Sequence, residues 1–341
     1  MKLKLKKIHD QVLVITGASS GIGLVTARKA AAAGARVVLA SRNERDLQVA
    51  VEEIRQAGGR AAYEIADVSS QREVEWIAQT ALREFGRIDT WVNNAGVTMY
   101  GKIMETPLED MRRLFDVIYW GVVHGSRSAV PHLRREGGVL INIASVLAER
   151  SVPLQGTYSA AKHAVKAFTD TLRMELEAEG APISVTLIKP TSIDTPLFDK
   201  ARSLLGVEPQ PLPPVYAPEV VARTILDCAQ KPVRDVEIGG FAKAMNVLEA
   251  MAPRLTDRAL EKTGFTKQET ETPLDGRSDN LYRHLDHDGG ERGHNWQGNV
   301  KERSPYTRAA LRPRTTALAA LGAGAAVLAG LRALRRPVPQ K

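Results

Sequence analysis

The sequence predicts a doubly wound α/β fold, a seven-stranded parallel sheet with helices on both faces. Three observations carry this expectation. Short β-rich runs alternate with longer helical patterns up to about residue 240. The runs are apolar along their cores rather than alternating, as strands covered on both faces are. The first run ends in a glycine-rich turn, TGASSGIG, that opens a helix. Strand–helix alternation then implies right-handed crossovers between parallel neighbours.

Taken in order, strands are expected at 11–17 (QVLVITG), 35–41 (ARVVLAS), 61–67 (AAYEIAD), 88–94 (IDTWVNN), 137–145 (GGVLINIAS), 183–190 (ISVTLIKP) and 233–240 (VRDVEIGG). Helices are expected between them, at 21–33, 43–57, 70–85, 107–135, 157–179 and 217–230. Residues 241–262 read as one or two amphipathic helices interrupted at Pro253, closing a domain of residues 1–262. Residues 263–314 read as a flexible polar linker. Within it, 264–306 offer eight apolar residues in 43, too few to offset the entropy of ordering. Residues 315–341 read as a weakly apolar helix flanked by arginines. Its uncharged stretch, 316–331, would span about 24 Å, short of a hydrocarbon core of roughly 30 Å. Extended to Leu334, it reads either as a membrane anchor (316–334) or as a soluble helix.

The net charge of +8 arises wholly from residues 300–341, so the body of the chain is neutral. That placement argues against a nucleic-acid-binding core. The single cysteine, Cys228, excludes an internal disulfide framework and suits a reducing, cytoplasmic compartment. The amino terminus shows no secretory pattern. His284, His287 and His294 read as a solvated stretch, and no metal site is expected.

Two local patterns point to chemistry. In TGASSGIG, Gly17, Gly21 and Gly23 let the backbone turn tightly and approach a pyrophosphate, which a helix N-terminus attracts. Ser19, Ser20 and Ile22 belong to the same loop. The second strand then ends LASRNER, with Ser41 and Arg42 and no acid before Glu44. A carboxylate there favours NAD, whereas an arginine accommodates a 2′-phosphate, so NADP (NADPH) is expected over NAD. In GTYSAAKHAV, Tyr158 and Lys162 stand four apart and share a helix face. A phenol of pKa about 10 needs positive neighbours before it serves acid–base chemistry near neutral pH.

With these motifs in this order, residues 10–240 resemble the short-chain dehydrogenase/reductase family, with its Rossmann-like fold. The matching pieces are TGASSGIG, Asp67-Val68, NNAG at 93–96, Ser145 closing the fifth strand, YSAAK at 158–162 and IKPTSIDTP at 188–196. The resemblance implies an oxidoreductase that interconverts a carbonyl and a secondary alcohol. It implies Tyr158 as general acid or base, with Lys162 holding the nicotinamide ribose and stabilising the phenolate. Ser145 would hydrogen-bond the substrate oxygen. Asp67 and Val68 would flank the adenine, and Asn94, Ala95 and Gly96 would support the cofactor and the fourth strand. Pro190 would end the sixth strand, with Ile193 and Thr195 reaching the nicotinamide carboxamide. The family pairs its long fourth and fifth helices between subunits, which implies a homodimer or homotetramer.

Two positions depart from the family pattern. Ile118 stands where an asparagine helps hold a water in a proton relay to the lysine, so that relay must be replaced, weakened or absent. Thr191 stands where glycine more often follows proline, which predicts a changed loop. The segments 146–156 and 195–218 should wall the substrate side, and Leu197, Phe198, Leu204 and Leu205 suggest either a hydrophobic pocket or lid packing. The alternative to an enzyme is a nucleotide-binding sensor or scaffold with little catalysis.

Overall fold

The computed structural model describes residues 3–312. Seven strands make one parallel sheet: β1 (Val12–Thr16), β2 (Arg36–Ser41), β3 (Arg60–Ile65), β4 (Thr90–Asn93), β5 (Gly138–Ile143), β6 (Ile183–Lys189) and β7 (Asp235–Glu237). Their order is β3-β2-β1-β4-β5-β6-β7. In register, Ile15 of β1 lies opposite Leu39 of β2 and Val92 of β4. The chain progresses one way from β1 to β3 and the other way from β4 to β7. The crevice at the carboxyl ends of β1 and β4 is therefore the topological switch point, where open α/β sheets take ligands.

The helices are α1 (Gly21–Ala32), α2 (Glu44–Gln56), α3 (Gln71–Phe85), α4 (Leu108–Phe115), α5 (Gly121–Glu136), α6 (Gly156–Ala178), α7 (Pro218–Cys228), α8 (Gly240–Met251), α9 (Pro253–Thr263) and α10 (Pro305–Ala310). Alternation along β1 divides the core into two layers. Leu13 and Ile15 pack with Leu24 of α1, Leu47 of α2 and Val221 of α7. Val12 and Val14 face the opposite way, toward Ile77 of α3, Leu133 of α5 and Val165 of α6. Local chemistry sets the helix ends. The Asn43 side chain accepts the Asp46 N–H at 3.1 Å, capping α2, and Gly86 ends α3 at a φ of 76°.

The structure departs from the sequence reading in two places. The helix expected over 107–135 is interrupted by a π-helical turn, Asp116–Trp120, between α4 and α5. Beyond this turn the helix runs very close to the sheet. A Cβ on Gly121 would come within 2.7 Å of Val68, and one on Gly125 within 1.9 Å of the Asn93 side chain. Apolar spacing continues across the turn, so periodicity does not reveal it.

The second difference concerns 263–314, expected to be a flexible linker. Residues 264–312 instead lie against the body. Glu269–Pro273 pairs antiparallel with Val207–Pro209, and Val300–Lys301 pairs parallel with Val215–Tyr216. Leu281 is fully buried in the second core layer, and Thr307 of α10 donates its hydroxyl to the Glu237 carbonyl at 3.1 Å. Composition counted only apolar burial, whereas this segment is held mainly by polar bonds to distant parts of the chain. The expected anchor at 316–334 lies outside the described residues. Among the described residues, no helix is long and apolar enough to cross a membrane.

Candidate active site

A cleft of about 520 Å³ opens at the switch point. Its floor is the glycine loop after β1. Gly17 and Gly21 adopt φ of 64° and 53°, and a Cβ on Gly23 would meet the Gly17 carbonyl oxygen at 2.2 Å. Only glycine fits these positions. Asn94 clamps the loop to β4, donating from its amide to the carbonyls of Thr16 (2.9 Å) and Gly17 (3.1 Å). The N–H groups of Asn94 and Ala95 both donate to the Thr16 hydroxyl. Gly96 faces the buried Ile118 side chain, whose methyl would lie 3.3 Å from a Cβ placed there. The residue at the departure from the family pattern is thus part of the core beneath the loop.

Ser41 and Arg42 close β2 at one end of the cleft, beside Asp67 and Val68. Burial lowers the Arg42 pKa, with Asp67 acting the other way at 3.8 Å. Burial also works against the Asp67 carboxylate, but bonds from Ser69 and from Arg113 (2.5 Å) outweigh it and hold the carboxyl below its usual range. Asp67 is therefore a firmly ionised acceptor.

At the other end, Ser145 follows β5, and Tyr158 and Lys162 stand one turn apart near the start of α6. All three line the cleft. The Lys162 ammonium is 5.6 Å from the Tyr158 ring centroid and donates to the Ile143 carbonyl at 2.8 Å. Burial lowers its pKa to about 7. Burial pushes the Tyr158 phenol up to about 12, while a hydrogen bond with Ser145 acts in the opposite direction. The Ser145 hydroxyl also accepts the Leu147 N–H at 3.1 Å. Without a further positive charge the phenol is protonated at neutral pH, so the site rests as an acid.

Pro190 ends β6 as expected, and Ile193 and Thr195 reach the cleft. The loop beyond Thr191 forms a short strand, Ser192–Ile193, against Val215–Tyr216. The Thr191 hydroxyl is buried without a protein partner. With the glycine cradle and the ionised Asp67, this unpaired hydroxyl fits a dinucleotide bearing a polar carboxamide.

Leu197 and Phe198 line the cleft, but Leu204 and Leu205 do not. Leu204 packs on Gly101, and Leu205 joins Tyr100, Leu154 and Ala201 in a small separate cluster. The loop bends away from the cleft after Lys200, a course that residue type alone does not encode. Phe241 and Met245 of α8 and Leu260 of α9 take their place in the wall. Arg150 ties both helices over the cleft, donating to Glu249 (2.5 Å) and Asp257 (2.7 Å). Asn280, His284 and Asp288 also line the cleft, from the segment expected to be a linker. In the sequence these three read only as parts of a polar, solvated stretch.

Comparison with known proteins agrees with this arrangement. The family profile described as short chain dehydrogenase matches residues 11–205. The uncharacterized oxidoreductase YxnA of Bacillus subtilis is 47% identical over 324 residues, covering 94% of this chain and 91% of that protein. An alcohol dehydrogenase from the archaeon Thermococcus sibiricus, solved with 5-hydroxy-NADP, superposes with a TM-score of 0.60 at 26% identity. That match covers 67% of this chain and 95% of the other. A variant of the actinorhodin polyketide ketoreductase, solved with NADPH, gives 0.53 at 33% identity, covering 56% and 74%. On its sheet order, its glycine loop and these matches, the chain belongs to the short-chain dehydrogenase family of oxidoreductases.

Proposed function

We propose that this protein is an NADP(H)-dependent oxidoreductase that interconverts a carbonyl and a secondary alcohol on a hydrophobic small molecule. The observation that carries this reading is the convergence of Ser145, Tyr158 and Lys162 on a cleft whose floor is the glycine loop. The bound dinucleotide supplies or accepts the hydride. In reduction, Ser145 and Tyr158 hold the carbonyl oxygen, and the Tyr158 hydroxyl gives that oxygen its proton. In oxidation, the Tyr158 phenolate takes the proton of the alcohol. Lys162 holds the nicotinamide ribose, and its charge favours the phenolate. The apolar wall of Leu197, Phe198, Met245 and Leu260 excludes water and suits a hydrophobic substrate.

Arg42, with no carboxylate at the end of β2, supports NADP(H) over NAD(H). An oligomer built through the long helices would cover the exposed Trp120 and Met174 side chains. The test is turnover of NADPH and NADH by the full chain against hydrophobic ketones, aldehydes and quinones. The expected result is NADPH-dependent turnover with kcat/KM at least about tenfold above NADH, roughly 1.4 kcal/mol of discrimination. Equal use of NADH would overturn the cofactor assignment. Tight NADPH binding without turnover of any panel member would favour the sensor reading, which the buried Ile118 at the relay position motivates.

A further inference from the structure

We infer that residues 279–294 complete the dinucleotide site, forming a strap that covers the adenosine and diphosphate half of the bound cofactor. This rests on the nucleotide-binding reading of the cleft and adds a wall to it. The strap returns from the carboxyl side of the chain to the ends of β1, β2 and β3. Arg42 donates to the carbonyls of Asn280 (2.5 Å) and Tyr282 (3.1 Å), and Asn43 to that of Leu285 (2.9 Å). Arg113, which also holds Asp67, donates to the Leu281 carbonyl at 3.0 Å. Leu281 itself is the apolar pin, fully buried beneath the strap.

At the glycine loop the strap meets the donors that an anion would use. The Gly21 N–H, first in α1, donates to the Gly290 carbonyl at 2.8 Å. The Ser19 hydroxyl donates to the Asp288 carboxylate. Lys200, on the nicotinamide-side loop, reaches the Asp288 carboxylate at 3.2 Å, the Asp288 carbonyl at 3.0 Å and the Ser20 hydroxyl at 3.0 Å. Lys200 and Asp288 are both buried. One ion pair thus joins the three parts that surround a diphosphate: the glycine loop, the loop after Thr195 and the strap. A bound diphosphate would take these donors by displacing the Asp288 carboxylate from Ser19 and the Gly290 carbonyl from Gly21, and Lys200 is the cation that would then pair with it.

A second, independent observation points to a ligand. The side-chain oxygen of Asn280 has no partner, and the residue is 8% exposed where it lines the cleft near Asp67 and Val68. Buried polar atoms are seldom left unpaired. An acceptor there suits the exocyclic amine of an adenine, while Asp67 serves beside it.

The full chain tests this by NADPH fluorescence titration, stopped-flow NADPH displacement and limited trypsin digestion at the exposed Arg283. NADPH is expected to slow cleavage at Arg283 at least tenfold. Asn280→Ala, which breaks no bond within the protein, is expected to weaken NADPH binding severalfold while leaving the ligand-free melting temperature unchanged. Leu281→Ser is expected to speed NADPH dissociation at least tenfold. Tight NADPH binding with no protection of Arg283, and unchanged binding in both variants, would overturn the strap. Tighter binding in Leu281→Ser would also overturn it, by making the segment a plug. Failure of the wild-type chain to bind either dinucleotide would instead overturn the functional reading itself.

Discussion

Burial holds the Lys162 ammonium near a pKa of about 7, against 10.5 for the free side chain. Below about pH 7 the lysine is charged in the folded and unfolded chains alike, and folding bears the full desolvation cost. That cost shrinks as pH rises from about 7 toward the unfolded value. Lys162→Met is therefore expected to raise the melting temperature of the dinucleotide-free protein by several degrees near pH 6, and by less near pH 9. An unchanged or lower value near pH 6 would contradict the buried-charge account. The Tyr158 phenol gives the two reaction directions opposite needs. With the phenol pushed up to about 12 in the dinucleotide-free site, the acid form is ready for reduction. On the proposed mechanism oxidation needs the phenolate, so initial rates of alcohol oxidation should climb steeply between roughly pH 6 and pH 8, by up to about tenfold per pH unit, while reduction should not climb. The Tyr158–Lys162 pair was legible in the sequence because both residues sit on one helix, four apart. The places of Leu204 and Leu205 were not, because the course of a loop decides what a residue touches.

Among the elements, α8 and α9 show how one side chain ties two wall helices together. Arg150 bonds Glu249 on one helix and Asp257 on the other, with its guanidinium largely buried between them. Arg150→Ala is expected to loosen both helices and raise KM for hydrophobic substrates about tenfold, roughly 1.4 kcal/mol, with NADPH affinity little changed. Michaelis kinetics and a binding titration check this, and an unaltered KM would show that the helices close the cleft without Arg150. The strands were legible because buried parallel strands read as continuous apolar runs, and six helices because their faces repeat between those runs. The π-helical turn at Asp116–Trp120 was not, since one extra residue per turn leaves the apolar spacing almost intact.

Across the whole molecule, the legible part is the doubly wound sheet and its switch point, and the hidden part is the return of the chain over that point. Asp288 lies 269 residues from Ser19, and its bonds there cannot be read from local composition. The same polarity that made 264–306 resemble a linker supplies Asp279, Asp288, Glu291 and Arg292, which pair with Arg202, Lys200, Arg28 and Asp194 of the body. In the proposed mechanism the hydroxyl that holds the substrate oxygen, the proton donor and the cation that favours its phenolate come from the end of β5 and from α6, and proton transfer rests on the Tyr158 hydroxyl. The most direct measurement is single-turnover oxidation of NADPH by wild-type chain and Tyr158→Phe with a reducible hydrophobic ketone, alongside NADPH titration of both. With Tyr158 as the proton donor, the expected rate is about 10²–10⁴-fold lower in the variant, with NADPH affinity nearly unchanged. Turnover within a few-fold of wild type would contradict it and place the proton donor elsewhere in the cleft.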